Sequence, residues 1–389
     1  MGLIHRSLTK ILQEIRPPKA IVIFGPRRVG KTTLLRQISA TIDATWFTGD
    51  SAQDIRTLNI PATDDLKGFL TRFKAIVIDE AQRIPDIGLL LKRLVDINET
   101  LENPVAIYVT GSSSFDLARG VKETALGRIR EFKLGALSCE ELANETSWGT
   151  LGQNIRWHLI YGMYPEVCTN PQSAKDILLN HCNSLLYKEI FTLGGIRLND
   201  KFEHLVQYLA YNIGSVISYD NVSREVGLNK GTVAEYVRLL EQSFIVRCCP
   251  SYAKNLSNEL KKGKKIYFCD NGIRNAVIND FSPIATRQDA GALWENFVFT
   301  ERLKFHGLKR DYSKIYFWRT SERSPHEIDF IEITDGKMTA LECKLSEEKS
   351  AKLPLSFQRA YPNCPLYTVS PGKIQNLWKE NAEKSVEES

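Results

Sequence analysis

One short loop constrains the fold of this chain more than any other feature. Residues 25–32 read GPRRVGKT and follow the pattern G-x-x-x-x-G-K-[ST], after the apolar run AIVIF and before a stretch with helical periodicity. A strand, a glycine-rich turn and a helix in this order direct backbone N–H groups at a phosphate. The sequence therefore predicts an α/β fold that begins with a P-loop NTPase parallel sheet.

The residues of this loop have separate expected roles in binding ATP and Mg²⁺. Glycine at positions 25 and 30 lets the backbone approach the phosphates. Lys31 would supply charge to the β- and γ-phosphates and is predicted to be catalytic, whereas Thr32 would offer its hydroxyl to the metal. The alternative is a chance match. The predicted nucleotide-binding residues of the loop are Gly25, Pro26, Arg27, Arg28, Val29, Gly30, Lys31, Thr32 and Thr33.

A second apolar run ends in two acids. Residues 75–80 read AIVIDE, which is typical of a buried parallel strand whose carboxyl end carries Asp79 and Glu80. Asp79 is predicted to hold Mg²⁺, and Glu80 is predicted to be catalytic by polarising the attacking water. The alternative is a pair of acids that merely ends a strand.

Two further features extend this predicted site. The run VAIYVT at residues 105–110 leads into Gly111, Ser112 and Ser113, and one of these serines is expected to sense the γ-phosphate. A simple turn is the alternative. Arg128 follows Gly127 and is predicted to act catalytically in trans from a neighbouring subunit, with a surface salt bridge as the alternative.

The overall charge is mild but unevenly distributed. The chain has 51 Lys and Arg against 46 Asp and Glu, a balance of +5. Residues 201–265 alone carry ten basic and six acidic side chains, so much of the excess lies there. Hydrophobic residues make up 43% of the chain, which is ordinary for globular domains and argues against disorder.

Cysteine spacing and hydropathy exclude other classes. The eight cysteines show no CxxC spacing, so neither a zinc site nor a disulfide framework is expected. No apolar run approaches the ~18 residues of a membrane span. The sequence therefore predicts a cytoplasmic protein without a membrane partner.

The basic segment has the rhythm of a helix-turn-helix. A short helix is predicted from Ser218 to Gly227, and a second from Asn229 onward would bury Val233, Tyr236, Val237 and Leu240 on one face. Apolar runs at 244–249 and 265–269 would then be two strands of a wing. The sequence therefore predicts a winged helix.

This element is the predicted contact with nucleic acid, expected to be DNA. Lys230 and Thr232 would reach the groove, and Arg238 with the lysines of the wing would contact phosphates. Those lysines are Lys261, Lys262, Lys264 and Lys265. The alternatives are a solvated face and a winged helix that serves as a lid or a subunit contact.

A hairpin is predicted near the end of the chain. Asp335 and Gly336 are typical of a two-residue type I′ turn, which would place Asp329 opposite Glu342 and Glu327 opposite Lys344. Because side chains alternate along a strand, these four residues would share one face and Cys343 would lie on the other.

The order of an acid, a gap and Glu-x-Lys suggests metal-dependent cleavage of a phosphodiester. Asp329 and Glu342 are predicted to bind Mg²⁺, with Glu295 on the preceding helix as a third acid. Lys344 is predicted to be catalytic by orienting the attacking water. The alternatives are a charged face that is merely solvated and a nuclease fold without activity.

Most of the chain resembles a family, through motifs that are specific in the first 170 residues and looser after them. The segments GPRRVGKTTLL, AIVIDEAQRIP, TGSSSF, LGR and YGMYPEV are similar to those of prokaryotic AAA+-type ATPases that carry an uncharacterised C-terminal domain. Met163 replaces the second glycine that this family has before Tyr164, Pro165 and Glu166. The last domain resembles PD-(D/E)xK nucleases.

The expected organisation has four parts. An AAA+-type P-loop domain covers residues 1–140, and a helical lid or linker covers residues 141–200. A winged-helix domain at 201–270 and an α/β restriction-endonuclease-like domain at 271–389 would follow. The predicted function is a homo-oligomeric ATPase that couples hydrolysis to nucleic-acid binding and cleavage; a nucleotide-switched regulatory or scaffold protein is the alternative.

Overall fold

The computed structural model describes residues 4–111, 127–185, 200–253, 263–320, 325–346 and 352–379. Three sheets and their helices follow one another along the chain. In these ranges no helix combines the length and the apolar character that a membrane crossing requires.

The first unit is a parallel sheet, as the sequence predicted, and its strand order is β2-β3-β4-β1-β5. Its strands are β1 (Ala20–Phe24), β2 (Ala44–Thr48), β3 (Ala75–Asp79), β4 (Ala106–Gly111) and β5 (Ile129–Lys133). Its α-helices are α1 (Leu8–Glu14), α2 (Lys31–Ser39), α3 (Ala52–Leu58), α4 (Thr63–Leu70) and α5 (Ile87–Asn98). A short 3₁₀ turn covers Ala81–Arg83.

The apolar runs of this sheet are buried on both faces. All residues of β1 and β3 are buried, because helices cover each side of a parallel sheet. Ile21 and Ile23 face one core, whereas Val22 and Phe24 face another. The carboxyl ends of β1 and β3 meet at one edge of the sheet, where the loop at 25–30 and Asp79 follow.

The middle of the chain is mainly helical. Its helices are α6 (Cys139–Glu145), α7 (Trp148–Tyr161), α8 (Pro165–Thr169), α9 (Ala174–Asn183), α10 (Asp200–Tyr211), α11 (Tyr219–Val226) and α12 (Lys230–Gln242). A small antiparallel sheet with the order β6-β8-β7 contains β6 (Val216–Ile217), β7 (Val246–Pro250) and β8 (Lys264–Phe268).

The two helices predicted around Gly227 are present. The side chains of Ser218 and Asn229 accept hydrogen bonds from the backbone at the starts of α11 and α12. Gly227 ends α11 with a φ of 64°, a left-handed conformation that glycine adopts without strain. The predicted apolar face of α12 is buried. Its assignment as a winged helix stays a prediction.

The last unit is a four-stranded sheet with the order β12-β11-β10-β9. Its strands are β9 (Lys314–Arg319), β10 (Glu327–Thr334), β11 (Lys337–Cys343) and β12 (Leu366–Val369). Its α-helices are α13 (Asn271–Val277), α14 (Ala290–Lys309) and α15 (Leu355–Ala360), and a 3₁₀ segment covers Pro371–Trp378.

The predicted hairpin register is confirmed where the ladder is paired. Phe330 lies opposite Leu341 and Thr334 lies opposite Lys337. Asp335 has a φ of 48° and Gly336 a φ of 78°, and positive values at both positions are what a type I′ turn requires. Local turn chemistry thus sets the pairing of β10 with β11.

An irregularity in β10 departs from the simple alternation that the sequence suggested. The pairing of β10 with β9 shifts between Ile328 and Ile331. Ile328 and Ile331 therefore pack in the small core around Phe357, whereas Phe330 joins the large core with Leu341. One large core runs from the first sheet through the middle helices to this hairpin.

Candidate functional site

The loop after β1 folds around the side chain of Lys31. Gly30 has a φ of 91° and Arg28 a φ of 65°, so the backbone turns back on itself before α2 begins. The buried Lys31 Nζ donates to the carbonyl oxygens of Gly25 and Pro26, each at 2.8 Å. The lysine predicted to meet phosphates is therefore held inside the loop.

Gly25 is required by a close backbone approach. A Cβ atom at this position would lie 2.0 Å from the carbonyl oxygen of Leu134, in the segment after β5. Leu134 N in turn donates to Phe24 O at 2.7 Å, which continues the pairing of β5 with β1. No larger side chain fits here without moving the segment that follows β5.

Oxygens of three side chains converge at the carboxyl edge of the sheet. Thr32 Oγ1 donates to Asp79 Oδ2 at 2.9 Å, so two predicted metal ligands are in contact. The hydroxyl of Thr110, at the end of β4, donates to the other oxygen of Asp79. Thr110 was not predicted as a site residue, although its hydroxyl stands at a strand end beside the site.

Glu80 lies next to this cluster. Its backbone is left-handed, with a φ of 49°, and its N–H donates to Thr110 Oγ1 at 3.2 Å. Its carboxylate accepts a hydrogen bond from Gln82 Nε2 at 2.6 Å, a contact that the sequence did not suggest. The side chain is partly exposed, and its catalytic role stays a prediction.

Arg6 supports the loop from behind. Its buried guanidinium donates to Val29 O at 2.6 Å and to Gly135 O at 2.9 Å, and it pairs with Glu141 at 2.9 Å. Glu141 also belongs to the capping box that starts α6 with Ser138. Arg6 thereby joins three distant segments, which sequence reasoning missed because it lies outside any motif.

The remaining predicted residues of this site differ in outcome. Ser112 and Ser113 lie outside the described residues. Arg128 forms an ion pair with Asp96, and its carbonyl accepts from Ala20 N at 3.1 Å. Arg128 thus lies at the amino end of β5, across the sheet from the loop of its own domain. The ion pair with Asp96 agrees with the alternative that Arg128 forms a surface salt bridge. Its catalytic role in trans stays a prediction.

The C-terminal hairpin brings three predicted residues together. Lys344 Nζ donates to Glu342 Oε1 at 2.8 Å, and Asp329 Oδ2 accepts from the backbone N–H of Cys343 at 2.7 Å. Burial and the charge of Glu342 raise the pKa of Asp329 to about 6. Burial lowers the pKa of Lys344, but the bond to Glu342 outweighs it and raises the pKa overall.

Lys265 is buried beside Glu295 and Glu327, so the prediction that it contacts nucleic-acid phosphate was wrong. Its ammonium lies 2.8 Å from Glu295 Oε1 and 2.5 Å from Glu327 Oε1. Burial lowers the pKa of Lys265, but the two carboxylates raise it above its ordinary value. Burial also raises the pKa of Glu295, against the effect of Lys265.

The three-acid metal site predicted from Glu295, Asp329 and Glu342 is not formed among the residues that the structure describes. No group of three His, Cys, Asp or Glu side chains in those ranges is arranged to hold a metal ion. The physical reason is that Glu295 already accepts hydrogen bonds from Lys265 and from the hydroxyl of Tyr267.

The basic side chains of the helix-turn-helix have acidic or hydroxyl partners. Lys230 pairs with Asp220 at 2.7 Å, and Arg238 pairs with Glu235. Lys264 Nζ donates to the hydroxyl of Tyr219 at 3.1 Å. Thr232 is exposed. Lys261 and Lys262 lie outside the described residues.

Comparison with known proteins gives the class of the first unit. Residues 17–143 match the family model described as an AAA domain. Residues 17–143 are similar to this family, and the segment is named the AAA domain after that match. Residues 152–283 match a domain of unknown function (DUF8612), and residues 290–386 match another (DUF4143).

Two bacterial proteins that are described as uncharacterised are similar to this chain. A protein of Mycobacterium tuberculosis is 26% identical over 352 residues, which cover 88% of this chain and 74% of the relative. A protein of Haemophilus influenzae is 25% identical over 341 residues, covering 80% of this chain and 78% of the relative.

Solved structures superpose only in part. The RuvB Holliday junction branch migration motor of Thermotoga maritima is 15% identical, covers 66% of this chain and 91% of its own, and has a TM-score of 0.31. A signal transduction ATPase of Pyrococcus horikoshii is 13% identical, covers 78% and 47%, and has a TM-score of 0.30.

The AAA domain contacts the helical region through its loop. Arg28 Nη1 lies 3.6 Å from Glu166 Oε2 at the start of α8. The same oxygen lies 2.9 Å from Nε2 of the buried His181 in α9. Burial lowers the pKa of His181, against the opposite effect of Glu166.

The AAA domain is also fixed to the C-terminal unit. Glu301, buried in α14, accepts from Cys139 N at 2.8 Å and from Trp378 Nε1 at 2.9 Å. Lys304 donates to Leu137 O at 2.8 Å and to Glu301 Oε1 at 2.6 Å. The end of the AAA domain and the helix α14 are therefore joined by buried polar contacts.

Proposed function

We propose that this chain is a Mg²⁺-dependent ATPase whose nucleotide site is the loop between β1 and α2. The contact of Thr32 with Asp79 beside the enclosed Lys31 is the observation that supports the proposal most. The match of residues 17–143 to the AAA domain supports the same class of activity.

The donor set fits the cofactors. A hydroxyl and a carboxylate oxygen 2.9 Å apart are hard oxygen ligands of the kind that Mg²⁺ prefers, and Thr32 and Asp79 would hold the ion. Bound Mg²⁺ neutralises charge on the transferring phosphoryl group. Lys31 would exchange two carbonyl partners for phosphate oxygens, and Glu80 would orient the attacking water.

The test is phosphate release from ATP by the full chain, with and without Mg²⁺. Hydrolysis that requires Mg²⁺ and saturates with ATP is the expected result. An absence of both binding and hydrolysis at millimolar ATP would overturn the proposal.

The second candidate function is nucleic-acid binding with metal-dependent phosphodiester cleavage at the hairpin. It is supported by the convergence of Asp329, Glu342 and Lys344 at one end of β10 and β11. Lys344 would orient water and stabilise the pentacovalent phosphate. A metal ion held by Glu295, Asp329 and Glu342 would require Glu295 to separate from Lys265.

The rival to this second function is a nucleotide-switched regulatory protein in which the C-terminal unit is structural. The ion pairs of Lys265 with Glu295 and Glu327 favour this rival, because the lysine already balances the charge of these two carboxylates. Subunits would then assemble as a homo-oligomer that senses ATP rather than cutting a strand.

One experiment separates these two readings. The full chain is incubated with single- or double-stranded DNA, ATP and either Mg²⁺ or Mn²⁺, and both hydrolysis and strand length are followed. DNA-stimulated hydrolysis with cleavage that Lys344→Ala abolishes supports the nuclease. Neither stimulation nor cleavage favours the regulatory protein.

A further inference from the structure

The segment Tyr164-Pro165-Glu166 has no part in the function proposed above, yet it lies directly against the phosphate-binding loop. Glu166 Oε2 is 3.6 Å from Arg28 Nη1 and 2.9 Å from His181 Nε2. One carboxylate oxygen thus serves both a loop arginine and a buried imidazole.

The contact between Arg28 and Glu166 is open to exchange. Their side chains are 48% and 47% exposed, and an ion pair in such contact with water is weak. A phosphate offers a guanidinium stronger, charge-assisted and bidentate hydrogen bonds. Since Arg28 belongs to the loop itself, the phosphates of a bound nucleotide would compete with Glu166 for it.

Glu166, in contrast, is held in place. His181 is buried, its Nδ1 has no hydrogen-bond partner among the residues that the structure describes, and its Nε2–H donates to Glu166. The ring of Tyr164 packs edge-on against His181 at 5.4 Å. The carboxylate therefore stays at the loop whether or not Arg28 remains beside it.

The same segment is tied to the rest of the chain. Met163 O accepts from Leu137 N at 2.9 Å, and Met163 N donates to Asp270 Oδ2 at 2.8 Å. Asp270 also caps the first turn of α13 by accepting from Ile273 N. Met163, the residue before this segment, is thus hydrogen-bonded both to the AAA domain and to the start of α13.

We propose that Glu166 is a positioning residue that competes with the nucleotide phosphates for Arg28 and so lowers the affinity of the loop for ATP. The proposal rests on ATP binding by this loop, which is the proposed function. Glu166 acts through Arg28 and does not itself contact the nucleotide.

The test is the affinity for a mant-labelled ATP analogue with Mg²⁺, measured by fluorescence titration of the full chain. Glu166→Gln removes the charge but keeps an oxygen that His181 can donate to. We expect the Kd to fall about threefold to fivefold, the range of an exposed ion pair. The KM for ATP should fall alike with kcat little changed, whereas a merely structural glutamate would give weaker binding.

Two further variants assign the effect to Arg28. In an Arg28→Gln background, Glu166→Gln should leave the Kd within ~1.5-fold, because the competed group is gone. Glu225→Gln is the matched control, since it removes the same charge from an exposed position of α11. Glu166→Ala gives a second removal of the carboxylate should Gln retain a contact with Arg28.

The outcomes separate this proposal from the one on which it rests. Tighter binding by both Glu166 variants, lost in the Arg28→Gln background, supports the competition. Unchanged or weaker binding by the Glu166 variants, or tightening that persists without Arg28, overturns it. If the wild-type chain does not bind the analogue, the proposed function fails instead.

Discussion

The phosphate loop and the acids beside the C-terminal hairpin each surround a buried lysine, but the partners of the two lysines differ. Lys31 donates to two neutral carbonyl oxygens of its own loop. Lys265 lies between two carboxylates from α14 and β10. A ligand can replace the neutral carbonyl partners of Lys31 at a low cost in free energy. Separating Lys265 from its carboxylates would instead leave buried charges without compensation.

The difference teaches how each site depends on its surroundings. The groups of the loop site come from the loop at residues 25–32, from Asp79 at the end of β3 and from Thr110 in the neighbouring strand β4. The groups of the hairpin site come from three elements and shift each other's pKa. The first site should therefore respond to substitution through activity and the second through stability.

The largest expected effect is on ATP hydrolysis. Lys31→Ala should lower kcat on the order of a thousandfold, because it removes the charge predicted to act on the β- and γ-phosphates. Phosphate release measures it. Lys19→Ala, at an exposed position just before β1, is the control and should hydrolyse ATP like the wild type. Unchanged turnover in Lys31→Ala would contradict the assignment of the loop.

The second effect is on the free energy of unfolding. Lys265→Met should destabilise the chain by about 3 kcal/mol, since Glu295 and Glu327 would lose a buried counterion. Urea unfolding measures it. Lys264→Met, on the same strand with a hydroxyl partner, is the control and should cost under about 1 kcal/mol. Equal losses of unfolding free energy in the two variants would mean that the buried ion pairs of Lys265 contribute no more than the contact of Lys264.

The third effect depends on pH. The pKa of Asp329 is raised from 3.8 to about 6, so the folded chain holds this proton more tightly than the unfolded chain. Ionising Asp329 therefore lowers stability as pH rises from about 4 to about 6. Asp329→Asn should be more stable than the wild type at pH 7, by about 1–2 kcal/mol, and equal to it near pH 4. Denaturant unfolding at both pH values checks this; a constant difference would contradict it.

The smallest expected effect concerns Arg128. If it pairs only with Asp96, Arg128→Ala should change ATP turnover by less than about twofold. If it acts in trans in a homo-oligomer, kcat should fall far more, and wild-type turnover per chain should rise with protein concentration. Asp96→Ala breaks the same ion pair while keeping the arginine, and so separates the two roles.

The sequence predicted the features that residues close together in the chain determine. Residues 25–32 and the Asp335-Gly336 turn are local patterns, and the loop, the first sheet and the hairpin register follow from them. The bulge between Ile328 and Ile331 is not visible in an alternating pattern. The burial of Lys265 depends on α14 and β10, far along the chain, so a lysine run alone suggested exposure.

The contacts of Arg6 and Glu166 were beyond sequence reasoning for the same reason. Arg6 meets Glu141 across 135 positions, and Glu166 meets Arg28 only because α8 returns to the loop. Neither pair has a spacing that a motif would reveal. Long-range ion pairs of this kind require the packing of whole elements before they can be read.

The buried Glu301 determines how this chain can be divided. It and Lys304 supply hydrogen bonds to the backbone at Cys139 and Leu137, at the end of the AAA domain. A fragment that stops after the AAA domain would expose an N–H and a carbonyl that water must then solvate, and in the complementary fragment Glu301 would lose the hydrogen bond from Cys139 while keeping those from Lys304 and Trp378. Truncations should therefore aggregate or misfold, and inactivating point substitutions in the full chain are the sounder way to separate the two halves.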